Sequence, residues 1–411
     1  ISIIHLKRFV LWSLLIYILI RQFTAPRKLL SPNLSLFTKV AALFVVALGI
    51  SLMQTVSEFY TSVYLTTAVL KTIIFSNALV ILEQILLVYI VYYLVETPRH
   101  IQRLIDVILV TSAIIALLGI IEYSLGGAPN SLRFLFDPEI RFYGRASSVF
   151  SNPNGFGIFL APIIGIAFIS LIWGERSKKI RLCFILPILI LDSLAMFVSF
   201  SRTAIVQILF SMMVIGYLYY VKICHKKLSW KVLLIAIINV GLIFAAIQFY
   251  ETFAQLRAGV DPMRVSSFAL DRIKATSDTA RKLAAITTIQ TFLHHPIIGI
   301  GYEVISGKRI ESVQWVENQY LKILAEMGLL GFIPFLILNG LIIRTGMKIW
   351  DKHRKNQVTH EIQIMMFLLL TAVSTHTFGY FFATHLNIMP VTGNFWVLSG
   401  AIFALERQCN G

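Results

Sequence analysis

Ser199-Phe200-Ser201-Arg202-Thr203 is the whole polar connection between two apolar stretches. A guanidinium at such a tight corner sits near the hydrocarbon boundary, where ionisable groups are costly and tend to be paired or functional. Its chemistry is to hold anionic oxygens through a planar fork; the plain alternative is snorkelling to lipid phosphate. Arg145 lies in the loop GGAPNSLRFLFDPEIRFYGRASSVFSNPNGFG, where Asn152-Pro153-Asn154 reads as a turn into a helix. On residue type alone it is a headgroup contact, a solvated loop charge or an anion ligand. Glu317, Asn318 and Gln319 place three polar side chains at the mouth of another apolar stretch. Glu317 suits a helix N-terminal charge or a proton acceptor, and His376 and His385 are alternative acceptors.

Other candidates carry less. His294 and His295 are adjacent, not spaced i, i+4 as two imidazoles on one helix face would be for a shared metal. Gly299-Ile300-Gly301 follows Pro296 in a punctuated turn and lacks the strand and helix of a nucleotide fingerprint. Just before it, residues 276–293 bring Ala280, Leu283, Ala284, Ile286, Ile289 and Phe292 to helical spacing. This predicts a short amphipathic helix on the outer surface with Arg281 and Lys282 near its start.

The elements that must position these residues follow from composition. Of 411 residues, 57% are apolar and 14% charged, against about 25% charged in an ordinary soluble domain. A water-soluble globule and a disordered chain are both excluded. Crossing about 30 Å of hydrocarbon takes about 20 apolar residues, and with no water to satisfy the backbone each span is a helix. The clearest spans are 156–173, 182–200, 204–221, 232–250, 321–343 and 362–382; others fall at 40–53, 78–95, 104–123 and near 389–405. The expectation is one all-α polytopic membrane domain over 1–411, with about 11–12 spans.

Sidedness explains most of the net charge of +16. Arg176, Lys178, Lys179 and Arg181, then Lys222, Lys226, Lys227 and Lys231, then Arg344, Lys348, Lys352, Arg354 and Lys355, mark three cytoplasmic ends. Alternation puts Arg21, Arg27, Lys28, Lys39, Arg99 and Arg103 inside too. The long segment 251–317 lies outside and is nearly neutral, with eight basic and seven acidic residues. The charge is thus a topology signal, and no nucleic-acid partner is expected. Cys183, Cys224 and Cys409 lie near inner ends, so no disulfide is expected. Val10–Ile20 is short and the chain opens at Ile1, which predicts a lost leading helix or, in competition, a cleaved signal peptide.

Taken together, GRASSVFSNPNGFG, SFSRTA, TARKLAAITTIQTFLHHPIIGIGY and ENQYLKILAEMGLLG occur in an order that resembles the O-antigen ligase and O-antigen polymerase superfamily of bacterial membrane glycosyltransferases, over residues 140–400. The resemblance implies a GT-C-like bundle that needs no cofactor and no metal. It implies a glycan donor on undecaprenyl diphosphate at the outer face of the cytoplasmic membrane, and a glycan or lipid acceptor. Membrane lipids and a chain-length regulator are the other implied partners. Arg202 and Arg281 would then be catalytic with Glu317, while Arg145, Asn152, Asn154, Asn318 and His385 would bind substrate. Ligases of this family carry His-Asn, nine residues, then Gly-x-x-Gly. This chain keeps Asn318, the interval, Gly328 and Gly331 but has Glu317 in place of the His. That departure favours polymerase over ligase.

Two other classes compete. A transporter or flippase needs ionisable groups at mid-span, where only Glu83 and Asp192 stand, and Asp192 beside Ser193 reads as a packing pair. A structural scaffold does not need the long outer segment.

Overall fold

The computed structural model describes residues 13, 14, 17, 31–61, 70, 73–124, 146–150, 152–174, 176–223, 282–307, 316, 318–354, 360–381, 384, 386 and 389–410. The spans expected at 232–250 and over most of 10–20 lie outside these residues. So do Arg145, Arg281, Glu317, His385 and Cys224.

In chain order the helices are α1 (Pro32–Thr61), α2 (Leu79–Leu94), α3 (Pro98–Ser124), α4 (Pro153–Trp173), α5 (Leu186–Ser199), α6 (Arg202–Tyr217), α7 (282–294), α8 (Gln319–Arg354), α9 (His360–Gly379) and α10 (Met389–Asn410). Among the described residues there is no strand. Among the described residues, seven helical runs are long and apolar enough to cross a membrane: α1, α3, α4, Lys178–Ser199 (which contains α5), Arg202–Tyr220 (α6), α8 and α9. The protein is an all-α, multi-pass membrane protein.

α4 lies at the centre, packed by α3, α5, α6, α9 and α10, with 83% of its apolar window buried and 78% for α9. The α5 and α6 runs are only 28% buried and present their apolar sides outward, as lipid-facing helices do. Lipid is as apolar as Leu, so helices gain by close approach through small residues. At Gly157 of α4 an added Cβ would lie 2.7 Å from the Cβ atoms of Ser201 and Ala204, which is how tightly α4 meets the start of α6.

Asp192 does not pair with its neighbour. The Ser112 hydroxyl on α3 donates to Asp192 Oδ2 at 2.8 Å, while the Ser193 hydroxyl bonds its own helix at Leu189. The mid-span acid is therefore a tie between α3 and α5. Glu83 is likewise buried on α2, next to Gln84, whose amide reaches Thr392 of α10 at 2.6 Å.

At the end with the basic loops, Glu406 of α10 accepts from the Ser31 hydroxyl at 2.6 Å and from the Asn33 amide. Arg407 donates to the Val95 carbonyl at 2.7 Å and covers the Tyr92 ring. One cap thus joins α1, α2 and α10. Its sidedness is testable with single cysteines. Cysteine at Ser131 or Ser306 is expected to react with an impermeant thiol reagent in spheroplasts, and cysteine at Ser177 is expected to stay unlabelled. The reverse pattern would reject the orientation.

Candidate active site

At the opposite end, two groups of residues converge. The first surrounds the corner between α5 and α6. Phe200 takes a left-handed conformation (φ 50°), which ends α5, and the Ser201 hydroxyl accepts from Ala204 N–H to start α6. Arg202 is therefore the first residue of α6 and is half-buried. Ala146, which follows Arg145 in the chain, donates its N–H to Val198 O at 2.9 Å and so sits beside this corner. Asn152 caps α4 by accepting from Gly155 N–H at 2.7 Å, with Pro153 at the first helical position, and Asn154 follows.

The group that holds this loop is not apparent from the sequence. Buried Glu122, near the end of α3, accepts from the N–H groups of Ser147 and Ser148 at 2.9 and 2.5 Å and from the Ser147 hydroxyl at 3.2 Å. A carboxylate taking three donors fixes residues 146–148 against α3, directly after Arg145.

The second group is the mouth of α8. Asn318 Oδ1 accepts from Leu321 N–H at 3.0 Å and caps the helix. Gln319 donates its N–H to Tyr380 O at 2.8 Å, and its side-chain oxygen accepts from Leu386 N–H at 3.1 Å. The residues that flank Glu317 and His385 in the chain are thereby tied together. Rings connect this mouth to α6: Phe210 stacks on Phe378 with centroids 4.0 Å apart, and Phe381 lies 4.5 Å from Tyr320. His376, buried on α9, meets the Phe395 ring edge-on.

α8 is broken at Gly328 (φ 59°, ψ −164°). The break would leave the N–H groups of Leu329 and Leu330 and the carbonyls of Ala325 and Glu326 unpaired, because these four make up two i to i−4 bonds of a continuous helix. The turn after α7 supplies all four partners. Leu329 N–H donates to Pro296 O at 2.9 Å and Leu330 N–H to Ile297 O at 3.0 Å; Ile300 N–H donates to Ala325 O at 3.1 Å and Gly301 N–H to Glu326 O at 3.0 Å. The Pro296–Gly301 turn is spliced into the helix ladder. Gly299 (φ 71°) approaches the Glu326 carbonyl, and Gly328 approaches that of Ile297, so closely that a Cβ on either would collide. Gly328 therefore admits a loop, not a neighbouring helix; the space at Gly331 is filled by Met327 of the same helix. Gly328→Ala is expected to cost about 1–3 kcal/mol from backbone strain alone. Gly340→Ala, where nothing lies within 4 Å, should be neutral or stabilising. Thermal unfolding in detergent checks the contrast.

A buried polar cluster lies beside the splice, on the Gln319 side of the break. Lys322 Nζ meets Glu303 Oε1 at 2.6 Å, both side chains almost fully enclosed. Glu326, one turn beyond Lys322, lies near the backbone N–H groups of Glu303 and Ile305. From α1, the Ser51 hydroxyl donates to Glu326 O at 2.9 Å and the Thr55 hydroxyl to Tyr302 O at 2.8 Å. Burial, with the Glu303 and Glu326 carboxylates beside it, holds the Tyr302 phenol well above its ordinary range, so it is neutral. The signal available in the sequence is Lys322 and Glu326 at i, i+4 at the polar entry of an apolar stretch.

Residues 187–336 match a family model described as O-Antigen ligase. The match runs from α5 through the Arg202 corner and the spliced turn into α8, and it supports the O-antigen ligase and polymerase superfamily for this chain. No curated protein matches the chain.

Proposed function

We propose that the chain polymerises undecaprenyl-diphosphate-linked oligosaccharide repeat units at the outer face of the bacterial cytoplasmic membrane, as an inverting glycosyltransferase. The observation that carries this reading is that the family match encloses the Arg202 corner, Arg281 and the Glu317–Gly331 stretch together. It supports an O-antigen ligase or polymerase type of function. The finer reading rests on residue chemistry.

In this scheme the diphosphate of the donor lies between Arg145, Arg202 and Arg281. As the bond from the anomeric carbon to the diphosphate oxygen breaks, charge grows on that oxygen, and fixed guanidiniums stabilise it without reorganising. The acceptor hydroxyl attacks the opposite face of the sugar, giving its proton to Glu317. A glycosidic bond forms and undecaprenyl diphosphate leaves. Asn152 and Asn318 already use Oδ1 as helix caps, so each contacts substrate through its amide nitrogen. Asn154 and His385 complete the substrate contacts.

Arg202→Lys keeps the charge and loses the fork. Its turnover is expected to fall by about 10²-fold, as for loss of one donor to a developing oxyanion, with the variant still folded in detergent. Near-normal turnover would reduce Arg202 to a lipid anchor.

The description of the matched family favours a second reading, transfer of a finished glycan onto lipid A core or protein. Incubating purified protein with defined lipid-linked repeats, with and without a lipid A core acceptor, separates the two. Polymerase predicts a ladder on the donor lipid without the core acceptor. One addition, dependent on the core, would establish the ligase instead.

A further inference from the structure

α7 and the turn after it expose large apolar side chains. Ile286 is 53% exposed, Ile289 44%, Leu293 67% and Ile297 67%. At 3.6 residues per turn, Ile286, Ile289 and Leu293 share a sector about 60° wide. The opposite side faces protein: Ala284 and Thr288 are buried, and Phe292 packs against Ile305, Val316 and Ala325. Gln290 and His294 are exposed on the adjoining sector with Leu283, and exposed Lys282 lies at the helix start on the apolar sector, where its stem can reach up to the headgroups.

The depth of this apolar face is fixed by α8. No side chain from Gln319 to Gly328 is exposed, whereas Leu329, Leu330, Ile333, Leu336 and Ile337 all are. An uncovered apolar side chain on a spanning helix faces acyl chains, so hydrocarbon begins at Leu329. From there to Lys348 the helix rises about 28 Å, close to the roughly 30 Å of a bilayer core. Leu329 and Leu330 are the residues whose N–H groups hold Pro296 and Ile297. The turn that ends α7 therefore shares that depth.

We propose that residues 282–298 are an interfacial helix and turn seated in the outer leaflet, with Ile286, Ile289, Leu293 and Ile297 among lipid acyl chains and Gln290 and His294 toward the headgroups. On the function proposed above, this seat sets the start of α7, which Arg281 precedes in the chain, at the level of lipid phosphates. The donor's diphosphate would reach it without leaving the membrane surface.

The test needs no activity, so its outcome is independent of that function. The three native cysteines are replaced by Ser, and single cysteines at Ile286, Ile289, Leu293, Gln290 and His294 are labelled with a nitroxide. The protein is placed in phosphatidylethanolamine–phosphatidylglycerol vesicles, and collisions with oxygen and with a neutral nickel chelate are compared. Oxygen is expected to dominate at 286, 289 and 293, and nickel at 290 and 294. Nickel dominance at all five would overturn the proposal in favour of a solvated helix. Shielding from both reagents at 286, 289 and 293 would overturn it in favour of a protein partner or a second copy. Should the label disturb folding, Ile286→Trp provides the same reading: brominated lipid is expected to quench its added fluorescence, and unquenched emission would refute the seat.

Discussion

Glu317→Gln is expected to lower turnover by about 10²–10⁴-fold at saturating lipid-linked donor while donor binding survives. Gln keeps the size and most of the hydrogen bonding and removes proton acceptance. A capping role predicts a different outcome, a stability loss of about 0.3–1 kcal/mol with chemistry almost untouched. Asn318 already caps α8, which leaves a structural role for Glu317 little to do. Wild-type turnover in the Gln variant would remove Glu317 as base and transfer attention to His385.

Lys322→Met is expected to cause a comparably large loss, in stability. It leaves Glu303 buried without its ion-pair partner and beside buried Glu326, and breaking a buried pair by removing one partner costs about 3–5 kcal/mol. The same lesion loosens the spliced turn, since Glu303 lies two residues after Gly301 and Lys322 one turn after Asn318. Adding Glu303→Gln removes one uncompensated charge and should restore part of the loss. A double-mutant cycle by thermal unfolding in detergent reads the coupling; additive effects would show that the pair does not clamp the turn to α8.

Much of the architecture was legible in the sequence because the bilayer imposes it. Apolar runs of about 20 residues must be helices, and basic clusters alternate with them. The Ser199–Thr203 corner and the Asn152-Pro153 entry into α4 were readable for a local reason, since caps and turns depend on neighbouring residues. Long-range partners were not readable. Asp192 bonds Ser112, 80 positions away, and not adjacent Ser193. Gly328 and Gly331 are small enough to admit a neighbouring helix, yet Gly328 serves a loop whose backbone completes the helix ladder, a pairing invisible to periodicity. Of the expected site residues, the structure describes Arg202, Asn152, Asn154 and Asn318 and the chain neighbours of the others.

The most direct measurement of the central claim is the stoichiometry of purified protein acting on one defined undecaprenyl-diphosphate-linked repeat unit. The expected result is one undecaprenyl diphosphate released per new glycosidic bond, with the linkage inverted at the anomeric carbon. Donor moved across vesicle membranes with no diphosphate released and no bond formed would contradict a transferase and identify a transporter.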